Sequence, residues 1–144
     1  MNLGAEAVSE TIQQIQNDRV KTTKQPSKEM KMAPKLNPEN CKINWNESLD
    51  TIYNHIRGLN PFPAAWSEIQ NGDDRISVKI YGVRKEKLNH TNEIGSILPT
   101  KKEIKIAVQD GYILIDELKL SGKRKTDAKS LLNGFTFSSN AKIL

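Results

Sequence analysis

The chain has 144 residues, 36% hydrophobic and 27% charged, enough for one ordinary core. No run approaches the ~18 consecutive apolar residues that span a bilayer, and a single cysteine, Cys41, excludes an internal disulfide and fits a reducing, cytoplasmic setting. The net charge of +5 favours polyanionic partners, nucleic acid above all, provided that the charge clusters.

The first residues carry no basic start followed by an apolar block, so no signal peptide is expected. "LGAEAVSETIQQIQ" places Ala5, Val8, Ile12 and Ile15 on one helical stripe. Such a stripe needs a cover. Two readings stay open: the helix packs back on the rest of the chain, or it is the last helix of a domain that this sequence lacks. Residues 17–41 contain three prolines, several lysines and few large apolar groups, the composition of an extended linker. From Lys42 onward the pattern is that of a compact domain. The expected organisation is therefore 1–16 helix, 17–41 linker and 42–144 domain.

In that domain "NESLDTIYNHIRG" predicts a helix capped by Asn46, with Glu47 and Asp50 in its first turns. Leu49, Ile52, Tyr53 and Ile56 form its buried face, and Gly58 permits a left-handed exit. Pro61 and Pro63 stop any continuation, with Phe62 and Trp66 expected to fill the junction as core. The period then changes to two. "RISVKIYGV" sets Ile76, Val78 and Ile80 against Ser77 and Lys79, and "EIKIAVQ" aligns Ile104, Ile106 and Val108. "YILIDELKL" is apolar with room for a bulge near Asp116, and "AWSEI" and "EIGSIL" complete five strand candidates. Asn71-Gly72 and Asp110-Gly111 signal hairpins. A short helix, "TDAKSLL", is expected to be capped by Thr126 and ended by Asn133 and Gly134. The fold class is mainly β: a small antiparallel barrel with a leading helix and a short C-terminal helix.

Catalytic and metal chemistry lack a complete set. One cysteine and two histidines, His55 and His90, have no ligand spacing and read as surface histidines and an inert thiol. No nucleophile elbow or phosphate-cradling glycine loop occurs. Asp116 and Glu117 are strand neighbours and point to opposite faces. The clear signal is "KLSGKRKTDAKSLLNG", where Lys119, Lys123, Arg124, Lys125 and Lys129 fall against one acid, Asp127. The Ser121 and Gly122 turn would project this cluster where helix amides favour anions. On composition alone, a backbone-phosphate site and a solvated charged loop weigh equally.

These residues, in this order, resemble the C-terminal part of the methionyl-tRNA formyltransferase family. "APKL" resembles its Ala-Pro-Lys-Ile linker element, and "INW" its Ile-Asp-Trp, with Asn44 in place of the acid. "IRGLNPFPAAW" resembles Ile-Arg-Ala-x-Asn-Pro-x-Pro-Gly-Ala, with Ala64 where glycine is usual. "SGKRKTDAKSLLNG" resembles the family's basic ending, with Thr126 and Asp127 where methionine is usual and Leu131-Leu132 for Phe-Leu. "GAEAVSETIQQIQ" resembles the final helix of the family's catalytic domain.

The resemblance implies an open, OB-like barrel that binds and positions initiator tRNA in translation initiation. The parent enzyme moves a formyl group from 10-formyltetrahydrofolate to methionyl-tRNA in the cytoplasm, with no membrane involved. Its catalytic domain, and the Asn-x-His and Ser-Leu-Leu-Pro motifs of that domain, do not occur here. The chain alone is expected to be inactive, with no cofactor or metal of its own. Phosphate contacts are expected from Lys119, Lys123, Arg124, Lys125 and Lys129, joined by the linker lysines Lys31 and Lys35. Arg57 is divided between a structural role and an RNA contact. The alternatives are a structural buttress for a small-substrate formyltransferase and a standalone RNA-binding barrel.

Overall fold

The computed structural model describes residues 2–24 and 33–144. They form two compact units, Met1–Pro34 and Lys35–Leu144. In the first, helix α1 spans Asn2–Gln16. It ends in a Schellman arrangement: Asp18 turns left-handed (φ 50°), its N–H donates to the Ile15 carbonyl at 3.2 Å, and the Arg19 N–H donates to the Gln14 carbonyl at 2.9 Å. The apolar stripe is solvent-exposed, with Val8 at 60% and Ile15 at 58%.

The second unit opens with one helical turn, α2 (Pro38–Cys41). Asn37 and Asn40 bond each other's backbone N–H groups at 2.8 Å in a reciprocal capping box. Helix α3 (Leu49–Leu59) follows. Its cap is Ser48, whose Oγ accepts from the Thr51 N–H at 3.2 Å, and not the expected Asn46. Asn46 and Glu47 lie in the preceding turn because Trp45 is buried there, its Nε1–H donating to Ser67 Oγ at 2.9 Å. The Leu49 N–H is satisfied from across the fold by Asp110 Oδ1 at 2.8 Å. Leu49, Ile52, Ile56 and Leu59 are buried. Tyr53 is half-buried with the Lys85 ammonium 5.0 Å from its ring centre.

Two further corrections fall at the helix exit. Gly58 lies inside α3, and the left-handed residue is Ala64 (φ 70°), beyond the two prolines. Phe62 is 87% exposed and is no part of the core. Trp66 is only half-buried, because the inward positions of the strand belong to Ala65, Ser67 and Ile69.

Strands β1 (Ala65–Asn71), β2 (Asp74–Glu86), β3 (Ile97–Pro99), β4 (Ile104–Val108) and β5 (Gly111–Leu120) correspond to the five candidates. Two short strands add to them, β6 (Thr126–Asp127) and β7 (Lys142–Ile143). The antiparallel order is β3-β4-β5-β2-β1-β7, with β6 on β5. The β2–β5 register shifts around Gly82, opposite Asp116 and Glu117, which is the bulge expected there. A bridge between Ser96 and Lys142 brings the two ends of the sheet together, making an almost closed, OB-like barrel. At that seam the Ile143 N–H donates to the Gly95 carbonyl at 2.8 Å.

Helix α3 packs on β1, β2 and β5. Its Ile52 and Ile56 join Val78, Ile80, Ile104, Ile106, Ile113 and Leu118 in a core that is at most 2% exposed. Helix α4 (Ala128–Leu132) is capped by Asp127, not Thr126, since Thr126 is taken up in β6 opposite Leu118. Asn133 ends it, as expected.

Candidate nucleic-acid interface

The basic segment begins on β5. Val78 and Leu120 are cross-strand partners and point inward, so their neighbours Lys79 and Lys119, also partners, point outward. Trp66 is the partner of Lys79 on β1. The outer face of the barrel thus carries one row across three strands, Trp66, Lys79 and Lys119, with both lysines exposed. Two positions along β2, the Tyr81 ring lies under the Lys125 ammonium at 5.1 Å.

Beyond Leu120 the chain turns through Ser121 and Gly122. The Ser121 N–H donates to the Ser77 carbonyl at 2.9 Å, and Gly122 adopts φ 73°, which favours glycine. The turn projects Lys123, Arg124 and Lys125 into solvent. Lys123 Nζ lies 5.8 Å from the Phe135 ring centre, and Lys125 Nζ pairs with Glu117 Oε2 at 2.9 Å. Lys129 is exposed on α4. The expected help from helix amides is not there. The Asp127 carboxylate already accepts the Ser130 N–H at 2.8 Å, and bonds from Ser130 hold its carboxyl below the usual range.

Charge pairing sharpens the picture. Asp116 and Glu103 engage Arg84, with Asp116 raising the guanidinium's proton affinity further. Glu86 pairs with Lys105 at 2.7 Å, Glu68 with Lys42 at 3.5 Å, Asp50 with Lys85 and Glu93 with Lys142. Lys79, Lys119, Lys123, Arg124 and Lys129 have no acidic partner within 4.0 Å among the described residues. Exposed pairs contribute only about 0–1 kcal/mol each. Arg57, Arg75, Lys87, Lys101 and Lys102 are likewise absent from these pairs, so what marks this face is the clustering of its unpaired cations.

The other expected positions lie apart from this face in their contacts. Arg57 reaches Asn54 Oδ1 at 3.4 Å within its own helix. Lys35 is exposed ahead of α2, its carbonyl accepting from Asn40 Nδ2 at 2.9 Å. Lys31 lies outside the described residues. Sequence reasoning missed Lys79, Trp66 and Tyr81 as members of the face. Alternation set Lys79 outward, but only the cross-strand register joins it to Lys119.

Neither histidine is a free surface group. His55 Nε2 lies 3.4 Å from the Cys41 carbonyl. His90 Nε2 lies 2.8 Å and 2.9 Å from the carbonyls of Val108 and Gly111, and its ring stacks on Tyr112 at 4.4 Å. With both imidazoles in structural contacts and Cys41 buried, neither histidine is paired with the Cys41 thiol among the described residues. No group of three or more His, Cys, Asp or Glu side chains among the described residues can hold a metal ion.

Comparison with known proteins agrees with this architecture. Residues 35–136 match the family described as formyl transferase, C-terminal domain. The methionyl-tRNA formyltransferase of Flavobacterium johnsoniae is 44% identical over 144 residues, covering 99% of this chain and 46% of the relative. That of Bacteroides thetaiotaomicron is 38% identical over 149 residues, again covering 99% of this chain and 46% of the relative. The chain therefore spans a little under half the length of these curated relatives. Among solved structures, a variant of HypX from Aquifex aeolicus shares the fold at a TM-score of 0.59 and 20% identity, over 92% of this chain and 24% of that one. By the match over residues 35–136, the chain belongs to the formyl transferase C-terminal domain family.

Proposed function

We propose that this chain is the tRNA-binding and tRNA-positioning part of an enzyme that formylates methionyl initiator tRNA with 10-formyltetrahydrofolate. The observation that carries the reading is the run of acid-free cations, Lys79, Lys119, Lys123, Arg124 and Lys129, on the β2–β5 face, its turn and the following helix α4, in a chain whose relatives bear that enzyme's name. The major groove of A-form RNA is too deep and narrow for side chains to read, so such a barrel meets an acceptor stem through phosphates and 2′-hydroxyls. Its contribution to the reaction is orientation: it holds the aminoacyl end where a catalytic half can act on it.

On this reading residues 1–16 are the last helix of a catalytic half and residues 17–41 the linker to the barrel. Lys35 and Lys31 add phosphate contacts along that linker, and Arg57, in the last turn of α3, is either structural or a further RNA contact. The formyl donor is bound by the catalytic half, and the chain alone transfers no formyl group. The setting is the cytoplasm, where initiator tRNA is charged.

Titrating tRNA at several salt concentrations tests the reading. Affinity should fall as salt rises, with a log–log slope of about −0.7 to −0.9 per phosphate contact. Changing Lys123, Arg124 and Lys125 together to Ala should flatten that slope by about 2–3. Salt-independent binding, or binding untouched by the triple change, refutes it. A formylation assay on the chain alone, and joined to the N-terminal half of a relative, tests the division of labour: only the joined protein should turn over.

A further inference from the structure

Beside the basic row lies a groove of about 310 Å³ between the start of this unit and the outer face of β1 and β2. Pro38, Pro63 and Trp66 wall it, and Lys79 lines its edge. Lys79 also lines the neighbouring depression around Lys119, Ser121 and Gly122, so the groove opens directly onto the basic turn. The Trp66 indole is fixed in place. Its Nε1–H donates to the Pro38 carbonyl at 2.6 Å, and the Lys42 ammonium lies 5.4 Å from its ring centre. With its polar edge already satisfied, the indole offers the groove only its apolar surface. The Lys79 ammonium rests on the Pro63 carbonyl at 3.1 Å, a neutral acceptor that leaves its charge uncompensated.

We infer that this groove takes an unpaired RNA base against Trp66, with the adjoining phosphates on Lys79 and Lys119. The inference rests on the RNA-binding reading above and adds a contact that reads single-stranded RNA and not a duplex. Charge complementarity selects the occupant. An apolar peptide would leave two adjacent lysine charges unanswered, whereas a nucleotide supplies a flat π-surface and an anion a few ångströms apart. A fixed aromatic beside a basic track is the arrangement that binds single strands with little regard to sequence.

The test uses the whole 144-residue chain and two probes, oligoadenylate and a blunt RNA duplex. Trp45 is only 4% exposed, so a change in tryptophan emission on adding oligoadenylate reports Trp66. Trp66→Leu should weaken oligoadenylate binding about tenfold, and Trp66→Phe should recover most of it. The loss caused by Trp66→Leu should be several times larger for oligoadenylate than for the duplex. Lys79→Ala with Lys119→Ala should cut the single-strand salt slope by about 1.4. Silent emission, or equal affinity for Trp66→Leu and the parent chain, overturns the inference. If salt-dependent tRNA binding persists in that case, the wider reading stands without it. Conversely, oligoadenylate binding that needs Trp66, together with tRNA binding indifferent to the basic turn, supports the groove and removes the wider reading. A groove that ignores RNA yet becomes protected when the N-terminal half of a relative is attached is a protein-docking surface, which also overturns the inference.

Discussion

Lys79 and Lys119 are direct cross-strand partners on the outer face of the barrel, two exposed lysines whose ammonium groups have no carboxylate within 4.0 Å among the described residues. Like charges in that position weaken a sheet, and opposite charges strengthen it by about 0.2–1 kcal/mol. A stability-optimised surface would place an acid at one of them. Lys119→Glu should therefore raise stability by up to about 1 kcal/mol, while tRNA affinity falls severalfold. Urea unfolding and a tRNA titration on the same preparation check both. Loss of stability, or unchanged affinity, would show that the pair is an ordinary solvated surface.

Ala64 and its neighbour Ala65 separate backbone strain from burial. Both are at most 1% exposed, yet Ala64 sits at φ 70° and Ala65 in the regular β1 strand. The left-handed conformation costs a non-glycine residue about 1–2 kcal/mol. A lost buried methyl costs about 0.8 kcal/mol, and the freedom of glycine in the unfolded chain about 0.5–1 kcal/mol more. At residue 64 these terms nearly cancel, so Ala64→Gly should be neutral within about 1 kcal/mol. At residue 65 nothing offsets them, and Ala65→Gly should cost about 1–2 kcal/mol. Equal losses in thermal melts would rule out strain at Ala64.

Much of the barrel was legible because its strands alternate. In β2, for example, Val78 and Ile80 are buried while Ser77 and Lys79 are exposed, and period-two patterning encodes that locally. The strands β6 and β7 were not legible, since two residues cannot display a period and their place is set by the partners they meet. Phe62 misled for a related reason: an aromatic beside two prolines reads as core, but the turn of the chain leaves its ring 87% exposed. The basic turn was visible as composition. Its extension through Lys79 to Trp66 was not, because cross-strand neighbours are distant in sequence and only the register joins them.

Closure of the barrel rests on Gly95. It adopts φ 83°, and a Cβ there would lie 2.6 Å from the Ile143 carbonyl oxygen, which is backbone and cannot swing aside. Gly95→Ala should cost about 1–3 kcal/mol. The loss should be local as well as global. The Ile143 amide, bonded to Gly95 at 2.8 Å, and the Ile97 amide, bonded to Ala141 at 3.2 Å, should exchange faster relative to core amides such as Ile113. Uniform acceleration of all amides would mean that the seam is not a separate weak point.

Asp127 links stability at the basic turn to pH. Its carboxylate caps α4 through Ser130, and those bonds lower its pKa. A group held below its unfolded value contributes stability that is present above that value, about 3.9 for Asp, and is lost as pH falls through the lowered folded value. Asp127→Asn keeps a capping oxygen but removes the titration. The stability difference between parent and variant should thus be constant above about pH 5 and shrink steadily below pH 4. Chemical unfolding at a series of pH values measures it. Asp50 is lowered in the same direction by Lys85, so Asp50→Asn should show the same sign, and the two effects should add because the residues share no partner. A difference that grows on acidification would mean that the Asp127 carboxyl is stabilised in its protonated form, contrary to the cap geometry.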